Sequence, residues 1–154
     1  FDGLRTTQLT FDPGKDLYPS WSADAKQIIF CSNRDGNCEI YLMNADGSSQ
    51  TNLTNSPAFD GSPSYSPTME YIAFNTDIFA PGNLEIVMMR PDGTGFTRLT
   101  EHPGINSNPH WSRDGSMIFF QSDRDGDFEI YRINTDGTGL VQLTFNDVDD
   151  RLSP

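Results

Sequence analysis

The sequence predicts an all-β protein made of four-stranded antiparallel β-propeller blades, with three blades in the chain. A segment with a central Pro and a following ring recurs, and its first residues, Asp16, Asp60, Asn106 and Asp150, are spaced 44, 46 and 44 residues apart. Each unit also holds short runs rich in Ile, Phe, Tyr and Thr between Asp-Gly turns. A period of about 40–45 residues with four short strands is typical of a propeller blade. The runs lack a helical period, which disfavours helical solenoids.

Each unit has the same predicted order of elements. An inner strand carrying the Pro comes first, followed by a second strand, a polar hairpin, a third strand, an Asp-Gly turn and a last strand ending in Leu-Thr. The predicted divisions are 1–10 (outer strand of a preceding blade), 11–54 (blade 1), 55–100 (blade 2), 101–144 (blade 3) and 145–154 (start of a next inner strand). The chain therefore begins and ends within a repeat.

The repeated aromatic and charged residues are expected to stabilise the fold. Trp21, Tyr65 and Trp111 lie on inner strands, so we expect them to pack between neighbouring blades. The hairpin residues Asp35, Glu39, Asp123, Asp125 and Glu129 accompany Arg34 and Arg124, which favours ion-paired and hydrogen-bonded turns. Metal binding is the weaker alternative at these hairpins, because the sequence after Asp-x-Asp-Gly lacks the spacing of a calcium loop.

A ring of carboxylates suggests a second kind of site. Asp16, Asp60, Asn106 and Asp150 precede successive innermost strands, so rotational repetition is expected to aim them at the central channel. Carboxylates that converge in a channel repel one another unless a cation compensates them. Calcium is therefore a hypothesis for this position. The alternative is that each side chain caps the turn into its strand by accepting backbone N–H groups.

Composition excludes several classes of function. The chain has 22 Asp and Glu against 10 Lys and Arg, a net charge of −12, so nucleic-acid binding is not expected. It contains no apolar run of about 18 residues, so no transmembrane segment is expected. His102 and His110 stand near no nucleophile motif, and we expect no catalytic residue.

Cys31 and Cys38 flank the first hairpin, where cross-strand partners can approach within bridging distance. A disulfide would suit an oxidising compartment. Free thiols are equally compatible with the pattern, because Gln121 and Phe128 occupy the same positions in the third unit.

The repeat resembles a known family. Pro-x-Trp-Ser, an Ile-x-Phe strand, Arg-Asp-Gly-x-x-Glu-Ile-Tyr, Asn-x-Asp-Gly and a closing Leu-Thr together are similar to the repeat of TolB-like proteins, a WD-like propeller repeat. The resemblance implies four-stranded blades with the Pro-x-Trp-Ser strand innermost, and a scaffold for protein contacts in the periplasm or outside the cell. The second unit departs from it at Tyr65, which replaces Trp, and Val87, which replaces Tyr. We therefore expect a special contact at blade 2.

Three blades are too few to close a ring, since propellers have about 4–8. We expect closure by self-association, with a homodimer of six blades favoured, or a place in a longer propeller. The predicted function is a non-catalytic scaffold for a protein or peptide ligand, with calcium in the channel as a further hypothesis. The alternative, which the resemblance also implies, is an accessory propeller domain that gates substrate access to a hydrolase or peptidase.

Overall fold

The computed structural model describes residues 6–152, and it is all-β as predicted. Twelve strands lie within this range and form three sheets of four strands each. The strands are β1 (Asp16–Trp21), β2 (Gln27–Ser32), β3 (Glu39–Asn44), β4 (Thr51–Asn52), β5 (Asp60–Tyr65), β6 (Ile72–Thr76), β7 (Glu85–Met89), β8 (Thr97–Arg98), β9 (Asn106–Trp111), β10 (Met117–Ser122), β11 (Glu129–Asn134) and β12 (Val141–Gln142). Within residues 6–152 there is no helix long and apolar enough to cross a bilayer.

Each sheet is an antiparallel meander, in which sequence neighbours are also neighbours in space. The first strand of each sheet is β1, β5 or β9, and the last is β4, β8 or β12. The turn before each last strand ends at a glycine with positive φ: Gly47 (86°), Gly93 (82°) and Gly137 (82°). Residues with a Cβ rarely adopt this conformation, which explains the repeated Asp-Gly. The three sheets are blades 1, 2 and 3 below.

The inner strand of each blade contains a β-bulge. In blade 1, Leu17 pairs with Cys31 and Ser20 with Ile29, so two residues of β1 oppose one residue of β2. The first bulged residue, Tyr18, has a φ of 53°. The next residue, Pro19, has no N–H to donate to the ladder. Ser62 (48°) and Asn108 (52°) repeat this positive φ in β5 and β9, and each precedes a proline.

The apolar core lies between the blades. One buried cluster joins Ile29 and Ile40 of blade 1 to Ile72, Phe74, Val87 and Met89 of blade 2. A second cluster joins Ala73 and Ile86 of blade 2 to Ile118, Phe120, Tyr131 and Ile133 of blade 3. Each blade is therefore held chiefly by the face of its neighbour, as in sheet-on-sheet packing.

The inner-strand aromatic residues lie at these inter-blade contacts. Tyr65 is 7% exposed, and its hydroxyl donates to Gln27 Oε1 of blade 1 at 3.0 Å. Trp111 donates from its indole N–H to the carbonyl oxygen of Ser64 in blade 2 at 3.0 Å. Trp21, by contrast, is 53% exposed, because no described blade lies against its side of blade 1.

The opposite end of the stack is also uncovered. Leu99 of blade 2 is buried against blade 3, whereas Leu143 at the same position of blade 3 is 41% exposed. Phe145, two residues further along the chain, is also exposed. The described chain thus has two apolar blade faces at its two ends, one around Trp21 and one around Leu143.

Candidate functional site: the channel wall and the hairpins

The three inner strands line one partly open cavity of about 180 Å³, which we call the channel cavity. It is lined by Tyr18, Pro19, Ser20, Ser62, Pro63, Ser64, Asn108, Pro109 and His110. These are the same three positions of each inner strand, namely the bulged pair and the residue after it. The bulge therefore brings a proline and two mostly polar side chains of every blade to the channel.

The wall of the channel cavity is uncharged and combines proline rings with a few polar side chains. Ser62 Oγ donates to Asn108 Oδ1 at 2.8 Å, which joins the walls of blades 2 and 3. Ser20 Oγ accepts the backbone N–H of Tyr65 at 3.2 Å, which joins blades 1 and 2. Burial lowers the pKa of His110, so its imidazole is neutral at pH 7. Proline rings with a few fixed polar groups are suited to holding an organic ligand.

The first residues of the inner strands lie elsewhere than expected. Instead of facing the channel, Asp16 lies 3.1 Å from the guanidinium of Arg34, and Asn106 accepts from Arg124 Nη2 at 2.7 Å. Asp60 is buried and accepts from Ser56 Oγ at 3.0 Å. In blades 1 and 3 the arginine of the blade's own hairpin contacts this side chain, and none of these first residues lines the channel cavity.

Asp150 accepts from Asn146 Nδ2 at 2.8 Å and likewise contacts its own connecting segment. Among residues 6–152, no group of three or more His, Cys, Asp and Glu is placed to hold a metal ion. The geometry of the described chain therefore gives the calcium hypothesis no support.

The hairpin arginines share one set of contacts. Arg34 donates from Nε to Ser32 Oγ at 2.9 Å and lies over the ring of Tyr41 at 4.5 Å. Arg124 donates from Nε to Ser122 Oγ at 3.0 Å and lies over Tyr131 at 4.5 Å. Each guanidinium thus joins the hairpin, an aromatic ring of the third strand and the start of the inner strand.

The hairpin aspartates accept hydrogen bonds from within their own blades. Asp35 accepts from the hydroxyl of Tyr41 and from Asn52 Nδ2, and these bonds lower its pKa. Asp125 accepts from Gln142 Nε2 of the last strand. Asp123 accepts the backbone N–H of Ile105 at 2.6 Å, which fixes the start of β9. These contacts are hydrogen bonds, whereas the ion pair of Arg34 in the described chain is made with Asp16 of the inner strand, outside the hairpin.

In each blade a buried glutamate of the third strand binds the segment that follows the last strand. Glu39 is 2% exposed and accepts from Thr54 Oγ1 and from the backbone N–H of Ser56. Glu129 is fully buried and accepts from Thr144 Oγ1 and the N–H of Asn146. Glu85, which was not predicted as a site residue, has the same role in blade 2: it accepts from Thr100 Oγ1 and the backbone N–H of His102.

Cys31 and Cys38 form a disulfide across the first hairpin, with their Cα atoms 5.8 Å apart. The sequence left both redox states open. Cys31 is fully buried and Cys38 is half-buried, so the bond joins the interior of the blade to its hairpin surface.

The channel-wall positions were not predicted from the sequence. The available signal was the proline in each inner strand, because proline inside a strand marks an edge or a bulge. Pro19, Pro63 and Pro109 therefore locate the wall better than the acidic residues that precede them.

Comparison with known proteins gives concordant matches. A family model described as the TolB beta propeller domain matches residues 2–80 and 54–153. An uncharacterised protein of Agrobacterium fabrum is 31% identical over 124 residues, which cover 80% of this chain and 27% of the relative. The crystal structure of TolB from Acinetobacter baumannii has a TM-score of 0.87 and 28% identity, over 97% of this chain and 37% of that chain.

A crystal structure of puromycin hydrolase has a TM-score of 0.71 at 15% identity, over 88% of this chain and 23% of that chain, which is a likeness of fold alone. The chain spans less than half the length of each of these three proteins.

Proposed function

The chain belongs to the TolB β-propeller family, and from this premise we propose that it is a binding scaffold that holds a protein or peptide segment at the channel cavity. The observation that carries the proposal is the convergence of three inner strands on one cavity of about 180 Å³. Its wall offers proline rings for apolar contact, and Ser20, Ser64 and His110 for hydrogen bonds. An extended peptide presents both kinds of surface along its length.

The charge of the whole chain favours a basic partner. The net charge of −12 creates a field that attracts cations and accelerates their association. The wall of the channel cavity itself carries no ionised residue, so the field steers the ligand while uncharged groups hold it. We expect the preferred peptide to be extended and basic, and its affinity to fall as ionic strength rises.

A selection of unstructured peptides against the chain tests this proposal. Ser64→Trp would fill the channel cavity, and Thr51→Trp, on the exposed outer strand, is the matched control. Selected peptides should bind the parent chain and Thr51→Trp equally and Ser64→Trp at least about tenfold more weakly, which corresponds to about 1.4 kcal/mol. Equal binding to all three proteins would place the ligand elsewhere and reject the proposal.

We further propose that additional blades cover the two exposed apolar faces, supplied by a second copy of the chain or by a longer protein. The support is the exposure of Trp21 and Leu143, whose counterparts in blade 2 are packed against a neighbour. Sedimentation equilibrium of residues 1–154 distinguishes the sources. A mass twice the 17.2 kDa of the chain, abolished by Trp21→Asp, supports the homodimer, and a single-chain mass at micromolar concentration excludes it.

A second candidate function is an accessory domain of a hydrolase or peptidase. It is favoured by the similar fold found within the much longer puromycin hydrolase. A catalytic domain encoded in the same reading frame would support it. For either function we propose a periplasmic or extracellular location, where the Cys31–Cys38 disulfide would persist.

A further inference from the structure

Blade 2 lacks the arginine that both other blades use. Ile78 stands at the position of Arg34 and Arg124, two residues after the second strand. The residue before it confirms the alignment, because Asp77 Oδ1 accepts the backbone N–H of Phe59 at 2.8 Å. Asp123, before Arg124, makes the equivalent bond in blade 3. The backbone arrangement is therefore kept while the guanidinium is absent.

A cavity of about 90 Å³ occupies the place of the missing guanidinium, and we call it the blade 2 cavity. It is lined by Thr54, Ser56, Asp60, Ile78, Met89 and Phe96, among others. In blade 1, Arg34 reaches Gln50 and Asp16, and the corresponding residues of blade 2 are Phe96 and Asp60. The volume is several times the minimum that one water molecule needs.

Asp60 forms the floor of the blade 2 cavity. Its side chain belongs to a residue that is only 2% exposed, and Ser56 Oγ donates to it at 3.0 Å. In the part of the chain that the structure describes, no Lys, Arg or His forms an ion pair with it. A buried carboxylate without a cationic partner is unfavourable, because burial removes water from the charged form.

Arg98, the arginine of blade 2's last strand, does not form an ion pair with Asp60. Arg98 lies over the ring of Phe79 at 4.2 Å and forms ion pairs with Glu85 at 3.0 Å and Glu101 at 3.3 Å. Its charge is thus directed to the junction of blades 2 and 3, whereas the blade 2 cavity lies beside the segment that leaves blade 1.

We propose that the blade 2 cavity binds a guanidinium group from outside the chain, in the position that Arg34 and Arg124 fill in their own blades. The group is supplied by a small guanidinium compound or by an arginine side chain of a partner. Its N–H groups would donate to Asp60 and to the hydroxyl oxygens of Thr54 and Ser56. This site is separate from the channel cavity and does not depend on the function proposed there.

Two features of the rim suit this ligand. Ile78 is 48% exposed and Phe96 is 45% exposed, so the cavity opens to solvent between them. The ring of Phe96 offers a face for a planar cation, as Phe30 and Tyr41 do for Arg34. Guanidinium is preferred to ammonium because its planar fork of N–H groups can serve a carboxylate and hydroxyl groups together.

The test is a titration of the isotope-labelled chain followed by NMR. Ethylguanidinium should produce saturable shifts at Thr54, Ile78 and Phe96, and neutral N-ethylurea should not. Asp60→Asn should weaken ethylguanidinium binding at least tenfold, while Asp136→Asn, the same change at an exposed turn of blade 3, should leave it within twofold. Equal binding of the urea, or unchanged binding to Asp60→Asn, would overturn the proposal.

A second variant protects the test if Asp60→Asn does not fold. Ile78→Arg supplies the guanidinium within the chain, so it should raise Tm and abolish ethylguanidinium shifts at Thr54 and Phe96. Retained ethylguanidinium shifts in Ile78→Arg, or a lowered Tm of this variant, would contradict the proposal. A flexible pentapeptide with one central arginine distinguishes the sources: binding at least as tight as that of ethylguanidinium assigns the ligand to a partner protein, and clearly weaker binding assigns it to a small molecule.

Discussion

The guanidinium of Arg34 lies 3.1 Å from the carboxylate of Asp16 at the start of the same blade's inner strand. Both side chains are largely buried, so water screens their interaction only weakly. Arg124 reproduces the arrangement with Asn106, where a neutral amide oxygen accepts. The contact between the hairpin arginine and the first residue of the inner strand is therefore shared by blades 1 and 3. Blade 2 lacks it, because Ile78 replaces the arginine.

We predict that Arg124→Met destabilises the chain by about 2–3 kcal/mol, because it removes two hydrogen bonds and a cation–π contact from a largely buried position. Arg113→Met, at an exposed turn of the same blade, should change stability by less than about 0.5 kcal/mol. Urea unfolding of both variants gives the comparison. Equal effects of the two substitutions would show that the contacts of Arg124 do not stabilise the chain.

We predict that Glu85→Ala destabilises the chain by about 3–5 kcal/mol. The change leaves Arg98 without its buried partner and the N–H of His102 without an acceptor. Glu70→Ala, an exposed change in the same blade, should be close to neutral. Thermal unfolding by circular dichroism measures both, and an effect of Glu85→Ala below 1 kcal/mol would contradict the proposed link between blades 2 and 3.

The disulfide should stabilise blade 1 without being needed to form it. Its sequence separation is 7 residues, for which the chain-entropy argument gives about 2 kcal/mol. Cys31→Ala with Cys38→Ala should lower stability by that amount and keep the strand content, since blade 3 forms its hairpin with Gln121 and Phe128. A reducing agent should destabilise the parent and leave the double variant unchanged. Loss of the fold in the double variant would refute this.

Asp60 predicts a specific pH dependence of stability. Burial raises its pKa to about 6, and the neighbouring charge of Glu39 acts in the same direction. The folded state then holds a proton that the unfolded chain releases near pH 4. Stability from this group is therefore present at low pH and is lost as pH rises from about 4 through 6.

The comparison with Asp60→Asn isolates this contribution from the other carboxylates. Between pH 4.5 and 7.5 the stability of the parent should fall by about 2 kcal/mol relative to the variant. Urea unfolding at the two pH values measures the difference. A constant difference between the two proteins would mean that Asp60 titrates normally.

The repeats made the architecture predictable, because three copies of one pattern agree on where strands and turns lie. The spacing of the inner-strand prolines and the Asp-Gly turns predicted three four-stranded antiparallel sheets, and this is confirmed. The spacing does not state which way a side chain points once a bulge interrupts the strand. Rotational repetition of the inner strands led us to expect Asp16 in the channel, whereas the residues of blade 1 that line the channel cavity are Tyr18, Pro19 and Ser20.

The burial of the three strand glutamates could not be predicted from the sequence either. Glu39, Glu85 and Glu129 look like ordinary strand residues, and their roles depend on N–H groups 17 residues away. The absence of an arginine at Ile78 was visible, but its consequence was not, since only the structure shows that Asp60 stands where the guanidinium would reach. The sequence did indicate blade 2 as the place of a special contact, and the blade 2 cavity is our proposal for it.

The central claim is that a hairpin arginine contacts the first residue of the inner strand in blades 1 and 3, and that blade 2 lacks this arginine at residue 78. The most direct measurement is the pKa of Asp60, followed by carboxyl ¹³C NMR in the parent chain and in Ile78→Arg. We predict a pKa of about 6 in the parent, falling in the variant to below the ordinary value, as hydrogen bonds and Arg34 do for Asp16. An ordinary pKa in the parent, or the same raised pKa in both proteins, would contradict the claim.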